Sequence, residues 1–163
     1  MALHIDLSKM DLREAYDFAI LIEEEAQHRY QQLASAFEGD PSGVGDVLRV
    51  MAANERKHRD ELEARRYSMF REDAQPLDIS VAEESVERPE PGARPATPRD
   101  ALLVAYASET RAYDYYREAL EHVVDSGVRA LFEDLMEEEA EHQELIAHHL
   151  AKLARTPVSA ATL

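Results

Sequence analysis

Four stripes of apolar residues at helical spacing run through this sequence, and a glutamate interrupts each of them near its middle. Apolar positions that step by threes and fours mark the buried face of an amphipathic helix. A carboxylate in such a face must be reconciled with burial. The first stripe is Leu12, Ala15, Ala19, Ile22, Ala26, Tyr30, Leu33 and Phe37, with Glu23 set between Ala19 and Ala26. The second is Val44, Leu48, Met51, Glu55, His58 and Leu62. The third is Ala101, Ala105, Glu109, Ala112, Tyr116, Leu120 and Val123. The fourth is Val128, Phe132, Leu135, Glu139, His142, Ile146, His149 and Leu153.

The stripes pair off as a repeat. Glu23-x-x-Ala26-x-x-x-Tyr30 is matched by Glu109-x-x-Ala112-x-x-x-Tyr116, and Glu55-x-x-His58 by Glu139-x-x-His142. The lone and paired glutamates stand 32 residues apart in the first half (Glu23 to Glu55) and 30 in the second (Glu109 to Glu139). Each half reads as a helical hairpin. The spacing predicts helices near 11–38, 44–70, 98–125 and 128–154. Asp11 and Glu14 have capping-box spacing, and Thr97-Pro98 is an N-cap followed by proline at the first helical position. Gly39-Asp40-Pro41-Ser42-Gly43 and Asp125-Ser126-Gly127 are the turns. The segment 71–97 carries Pro76, Pro89, Pro91 and Pro95, which cannot continue a helix interior, so a long connection is expected, with a short helical turn near Ser80 to Ser85. Residues 155–163 read as a frayed tail. The expected fold is all-α: a single domain, an antiparallel four-helix bundle of two repeated hairpins joined by a long Pro-rich connection.

Composition supports this reading. The 163 residues contain 45% hydrophobic residues and only 5 glycines, enough apolar content for one core. There is no cysteine, which excludes disulfides, zinc ribbons and thiolate chemistry and leaves histidine and carboxylate as metal ligands. The net charge of −16 argues against nucleic acid and anionic membranes as partners and suits cations. Met1 to Met10 lack a long apolar run, so a cytoplasmic location is expected.

Four carboxylates at core positions of a bundle cannot all stay ionised and unpaired, because desolvation costs several kcal/mol for each. They must be protonated or bind cations. Four glutamates and two divalent ions balance in charge, and two neutral imidazoles complete the ligand set without adding any. One nitrogen per metal among many oxygens suits iron or manganese better than structural zinc, although zinc binds such ligands too. By symmetry Glu55 and Glu139 are expected to bridge the metals, with Glu23 and Glu109 terminal. Glu24 and Glu25 flank Glu23, so its register rests on the stripe and on the spacing to Tyr30. Glu137, Glu138 and Glu141 are assigned to solvent, and His149 to the bundle end.

On these two Glu-to-Tyr elements and two Glu-x-x-His elements, the sequence resembles the rubrerythrin branch of the ferritin-like superfamily over about residues 11–70 and 98–154. The resemblance implies a di-iron centre held by Glu23, Glu55, His58, Glu109, Glu139 and His142. It also implies that Tyr30 and Tyr116 hydrogen-bond the ligand carboxylates from behind. The implied activity is that of a non-haem di-iron oxidoreductase, a peroxidase or ferroxidase acting on hydrogen peroxide or dioxygen. An iron-binding or storage module with little turnover is the alternative, and a di-manganese catalase-like site a third. Two departures stand out. Without cysteine there is no rubredoxin domain, so electrons must come from an external donor. Ala112 stands where rubrerythrin has an extra glutamate ligand. A homodimer is expected, and the long connection would permit hairpin exchange between subunits.

Overall fold

The computed structural model describes residues 6–75 and 94–155. These form four helices: α1 (Leu12–Ala36), α2 (Val44–Phe70), α3 (Pro98–Ala119) and α4 (Ser126–Arg155). Helix α1 packs along α2 and α3 along α4, as two hairpins of one all-α bundle. The turn expected near Ser80 to Ser85, most of the connection and residues 156–163 lie outside the described residues. No helix among the described residues is long and apolar enough to cross a membrane.

The helix starts follow from local chemistry. Asp11 and Glu14 close a reciprocal capping box at α1, Asp11 accepting from the Glu14 N–H at 2.8 Å and Glu14 from the Asp11 N–H at 3.1 Å. Thr97 and Asp100 do the same at α3, both at 3.1 Å, with Pro98 where no intrahelical N–H partner exists. The third helix was expected to run to 125, but it ends at Ala119. The chain then turns through 120–125, where the Arg129 guanidinium donates to the carbonyls of Leu120 (2.7 Å) and Val123 (3.2 Å). Asp125 caps α4 by accepting from the N–H groups of Gly127 and Val128 at 2.8 and 2.9 Å. Ser126 and Gly127 are therefore the first turn of that helix instead of a loop.

Gly45 lets the first hairpin close. A Cβ at this position would lie 2.4 Å from the Phe37 carbonyl oxygen, a backbone atom that cannot move aside. Gly45→Ala is expected to destabilise the protein by about 1–3 kcal/mol, the usual range for overpacking, read as a shifted urea midpoint with an unchanged slope.

The core is divided lengthwise. One apolar cluster gathers Phe18, Ala19, Ile22, Leu62, Tyr116, Phe132 and Leu135. A second gathers Tyr30, Leu48, Met51, Leu102, Ala105 and Ile146. The four stripe glutamates, with His58 and His142, fall between the two clusters in sequence.

Candidate metal centre

Each helix brings one glutamate into this middle layer, and all four are buried: Glu23, Glu55, Glu109 and Glu139 are no more than 5% exposed. Because residues three apart share a helix face, α2 presents His58 beside Glu55 and α4 presents His142 beside Glu139. The two imidazoles stack, with centroids 5.2 Å apart and planes 8° from parallel.

Around His142 the geometry is tight. Its Nδ1 lies 3.2 Å from Glu55 Oε1, 3.3 Å from Glu109 Oε2 and 3.8 Å from Glu139 Oε2. Only the Glu109 contact has hydrogen-bond geometry. Around His58 the layer is looser: Nδ1 lies 3.8 Å from Glu23 Oε2 and 3.6 Å from Glu138 Oε2. The potential ligand atoms fall into three overlapping groups, each within 4.8 Å: Glu109, Glu139 and His142; Glu55, His58 and His142; and Glu23, His58 and Glu138. All six residues singled out in the sequence thus lie in one layer. Glu55 shares a group with both histidines, whereas Glu139 is grouped with only one of them, His142.

Two expectations need correction. Glu138, assigned to solvent, turns inward towards His58 and keeps a side-chain exposure of only 35%. It stands four residues before His142, hence on the same face, and that spacing was the signal for it. The tyrosines bracket the layer, Tyr30 in one apolar cluster and Tyr116 in the other. Neither hydroxyl has a hydrogen-bond partner among the described residues, so the hydrogen bonds expected from Tyr30 and Tyr116 to ligand carboxylates are not made. The sequence reading also missed a pair beside the layer: Arg66, on the continuation of the α2 stripe four residues after Leu62, is fully buried against Asp17.

Burial dominates the electrostatics. It raises Glu23 well above the usual carboxylate range, reinforced by the neighbouring Glu55 charge, and raises Glu109 likewise, reinforced by Glu139. Glu55 is pushed by burial up to about 7, against the pull of His142. Burial opposes a charge on His142, but the hydrogen bond to Glu109 and the nearby Glu139 and Glu55 carboxylates prevail and lift it to about 11. His58, partly buried and beside His142, is lowered.

A buried layer that holds protons in this way fits divalent cations. Glu23 Oε2, Glu55 Oε1 and His58 Nδ1 are buried and have no hydrogen-bond partner among the described residues, although buried polar atoms are normally satisfied. Glu23 reaches this layer from α1, and Glu55 and His58 from α2. Mixed carboxylate oxygen and imidazole nitrogen is a donor set that iron, manganese or zinc can take.

The comparisons agree with this geometry. The family model for rubrerythrin matches residues 14–152. The chain belongs to the rubrerythrin family. An uncharacterized conserved protein from Magnetospirillum magnetotacticum MS-1, known from a crystal structure, shares 31% identity and superposes with a TM-score of 0.72, covering 94% of this chain and 100% of that one. No curated protein matches the sequence. Membership of the rubrerythrin family suggests a di-iron carboxylate site, and among the described residues three groups of glutamate and histidine are able to hold metal.

The proton-holding groups predict a pH dependence. Glu55 has a folded value near 7 against an ordinary 4.5, so its bound proton stabilises the fold fully below 4.5 and that contribution is lost as pH rises through 7. The contribution of His142 is complete below 6.5 and lost towards 11. Lowered His58 runs the other way, but only up to its ordinary 6.5. Protein stripped by a chelator should therefore lose stability from pH 6.5 to 9. Metal displaces these protons, so its apparent affinity should rise over the same window. Thermal melts of stripped and metal-loaded protein check this by their opposite pH trends.

Proposed function

We propose that this rubrerythrin-family protein is a non-haem di-iron oxidoreductase, oxidising ferrous iron or reducing hydrogen peroxide or dioxygen with electrons from an external donor. The observation that carries the reading is the layer itself: four buried glutamates and two stacked histidines, with unpartnered donor atoms, set between two apolar clusters.

On this reading His142, Glu109 and Glu139 would hold one metal ion and His58 and Glu23 the other, and Glu55, grouped with both histidines, would serve the pair. Two iron ions held there supply two electrons, enough to reduce one peroxide to two waters when two protons are added. The chain supplies the rest. The apolar clusters exclude bulk water from both ends of the layer. Tyr116 keeps its proton, because burial and then the Glu23 charge raise its pKa well above the ordinary value, so it meets the layer as an O–H group and not as a phenolate.

The test is anaerobic loading with two ferrous ions per chain, followed by peroxide. Two ferrous ions oxidised per peroxide, faster than free iron, with sustained turnover once a reductant is added, would support the oxidoreductase. Oxidation without further turnover would favour the iron-handling module, and peroxide loss without any reductant a catalase-like site. No metal bound and no oxidation above the rate of free iron would overturn the dimetal reading altogether.

A further inference from the structure

The two sides of the layer differ in a way that its internal repeat does not predict. The His142 side is closed, its nitrogen surrounded by Glu55, Glu109 and Glu139, all buried. The His58 side opens towards α4. There Glu138 stands with its carboxylate 3.6 Å from His58 Nδ1. It belongs to a potential ligand group with His58 and Glu23, and it has no counterpart among the carboxylates of the His142 side. A narrow cleft of about 10 Å³ between α2 and α4 reaches this point, lined by three leucines of the first apolar cluster and by His58, Glu138, Glu61, Asp134 and Arg65. It has room for about one water or ion, and its three carboxylates outnumber its one guanidinium.

A second observation points to a ligand there. Glu23 is 2% exposed, and its Oε2, the atom facing His58, has no hydrogen-bond partner among the described residues. His58 Nδ1 is also without one. A buried carboxylate oxygen and an imidazole nitrogen left unpartnered, with a half-exposed carboxylate closing the third side, form a cradle for a cation and not a solvated charged face.

We propose that Glu138 is a metal ligand on the His58 side, making this the exchangeable position of the centre, filled and emptied through the α2/α4 cleft, while the ion on the His142 side is held by buried groups only. This rests on the dimetal reading above. A carboxylate with one foot in solvent can meet an incoming hydrated divalent cation, replace part of its water shell and deliver it to His58 and Glu23 without a bare ion crossing the apolar clusters.

Cobalt(II), whose ligand-field absorption reports carboxylate and imidazole coordination, is the probe, added alone to chelator-stripped protein. Wild-type chain is expected to take two ions in distinguishable steps. Glu138→Gln, of the same size and half-exposed, is expected to weaken one step at least tenfold, to change its spectrum, and to leave the other step as in the wild type. Glu141→Gln, an exposed acid on the same helix, controls for net charge and is expected to bind like the wild type. In the wild type, a chelator should remove one ion well before the other. If wild-type chain binds two ions and Glu138→Gln binds both with unchanged affinity and spectrum, or if Glu141→Gln weakens binding as much, the assignment of Glu138 is overturned and the dimetal reading stands. If wild-type chain binds none, both fall.

Discussion

Glu55→Gln is expected to reduce metal affinity by about 100-fold or more and to abolish peroxide- or oxygen-dependent iron oxidation, while making the chelator-stripped protein more stable above pH 7. Glu55 is the glutamate grouped with both histidines, and its Oε1 lies 3.2 Å from His142 Nδ1. Residues that only support a metal ligand are commonly worth about 10–100-fold in affinity, so a shared ligand should lie at the top of that range or beyond it. The amide keeps the volume and loses the charge, and the surrounding core stays packed. The gain in stability has a separate origin. Burial pushes the Glu55 carboxyl up to about 7, so above that pH the wild type carries a buried charge that the variant lacks. On a shift of this size the stripped variant should be favoured by about 1–3 kcal/mol at pH 8 and by little at pH 5. Isothermal titration with metal and paired melts at the two pH values measure both effects. A variant that loses affinity and also unfolds more easily at pH 8 would mean that Glu55 is a packing residue, and the site reading would lose its centre.

The second large effect lies outside the layer. Asp17→Ala is expected to cost about 3–5 kcal/mol of folding stability, the usual range for breaking a buried ion pair from one side. Arg66 is fully buried. Asp17 meets it along two contacts, Oδ1 to Nε at 2.6 Å and Oδ2 to Nη2 at 3.1 Å. The remaining guanidinium nitrogen donates to the carbonyls of Glu72 and Asp73 at 2.8 and 2.7 Å. The Gln75 N–H donates to Asp17 Oδ1 at 2.9 Å. The pair therefore joins α1 to α2 and pins the start of the connection, 72–75, against the first hairpin. Without Asp17 the guanidinium stays buried and loses its counter-ion, and desolvation is then uncompensated. The double variant Asp17→Leu/Arg66→Met, which removes both charges, should recover much of the loss, because an apolar pair of similar size is often as stable as a buried ion pair. Urea unfolding of the single and double variants decides it. A single variant within 1 kcal/mol of the wild type would show that the pair contributes little.

Much of this was legible in the sequence because an α-helix repeats every 3.6 residues and a buried stripe is one face of it. The stripes named Glu23, Glu55, Glu109 and Glu139 as inward-facing, and three-residue spacing put His58 and His142 beside two of them. The capping chemistry at Asp11 and Thr97 is local and was equally readable. Errors gathered where one face gives way to the next. Glu138 lies one position from Glu139, about 100° round the helix. Its spacing of four to His142 puts it on the histidine's face, but whether it meets solvent or a neighbouring side chain depends on where α2 lies. Arg66 sat on the α2 stripe, but a buried arginine is legible only once a carboxylate on another helix is known to face it, and Asp17 lies off the α1 stripe. The end of α3 at Ala119 follows from contacts made by Arg129, nine residues beyond Leu120, and not from any breaker within the helix.

The sequence by itself therefore determined the composition of the layer: which four carboxylates and two imidazoles share the core, and that their charge calls for cations. Tertiary structure decided how unequal its two sides are. It closed three buried carboxylates round His142, left His58 facing Glu23 and the half-exposed Glu138, and kept the Tyr30 and Tyr116 hydroxyls out of hydrogen-bonding reach of any partner among the described residues. The physical reason is that the internal repeat sets the order of side chains along each helix, whereas distances between helices depend on how the two hairpins pack. Gly45 and the buried Arg66, which fit α2 against α1 in the first hairpin, lie outside the repeat that marks the site.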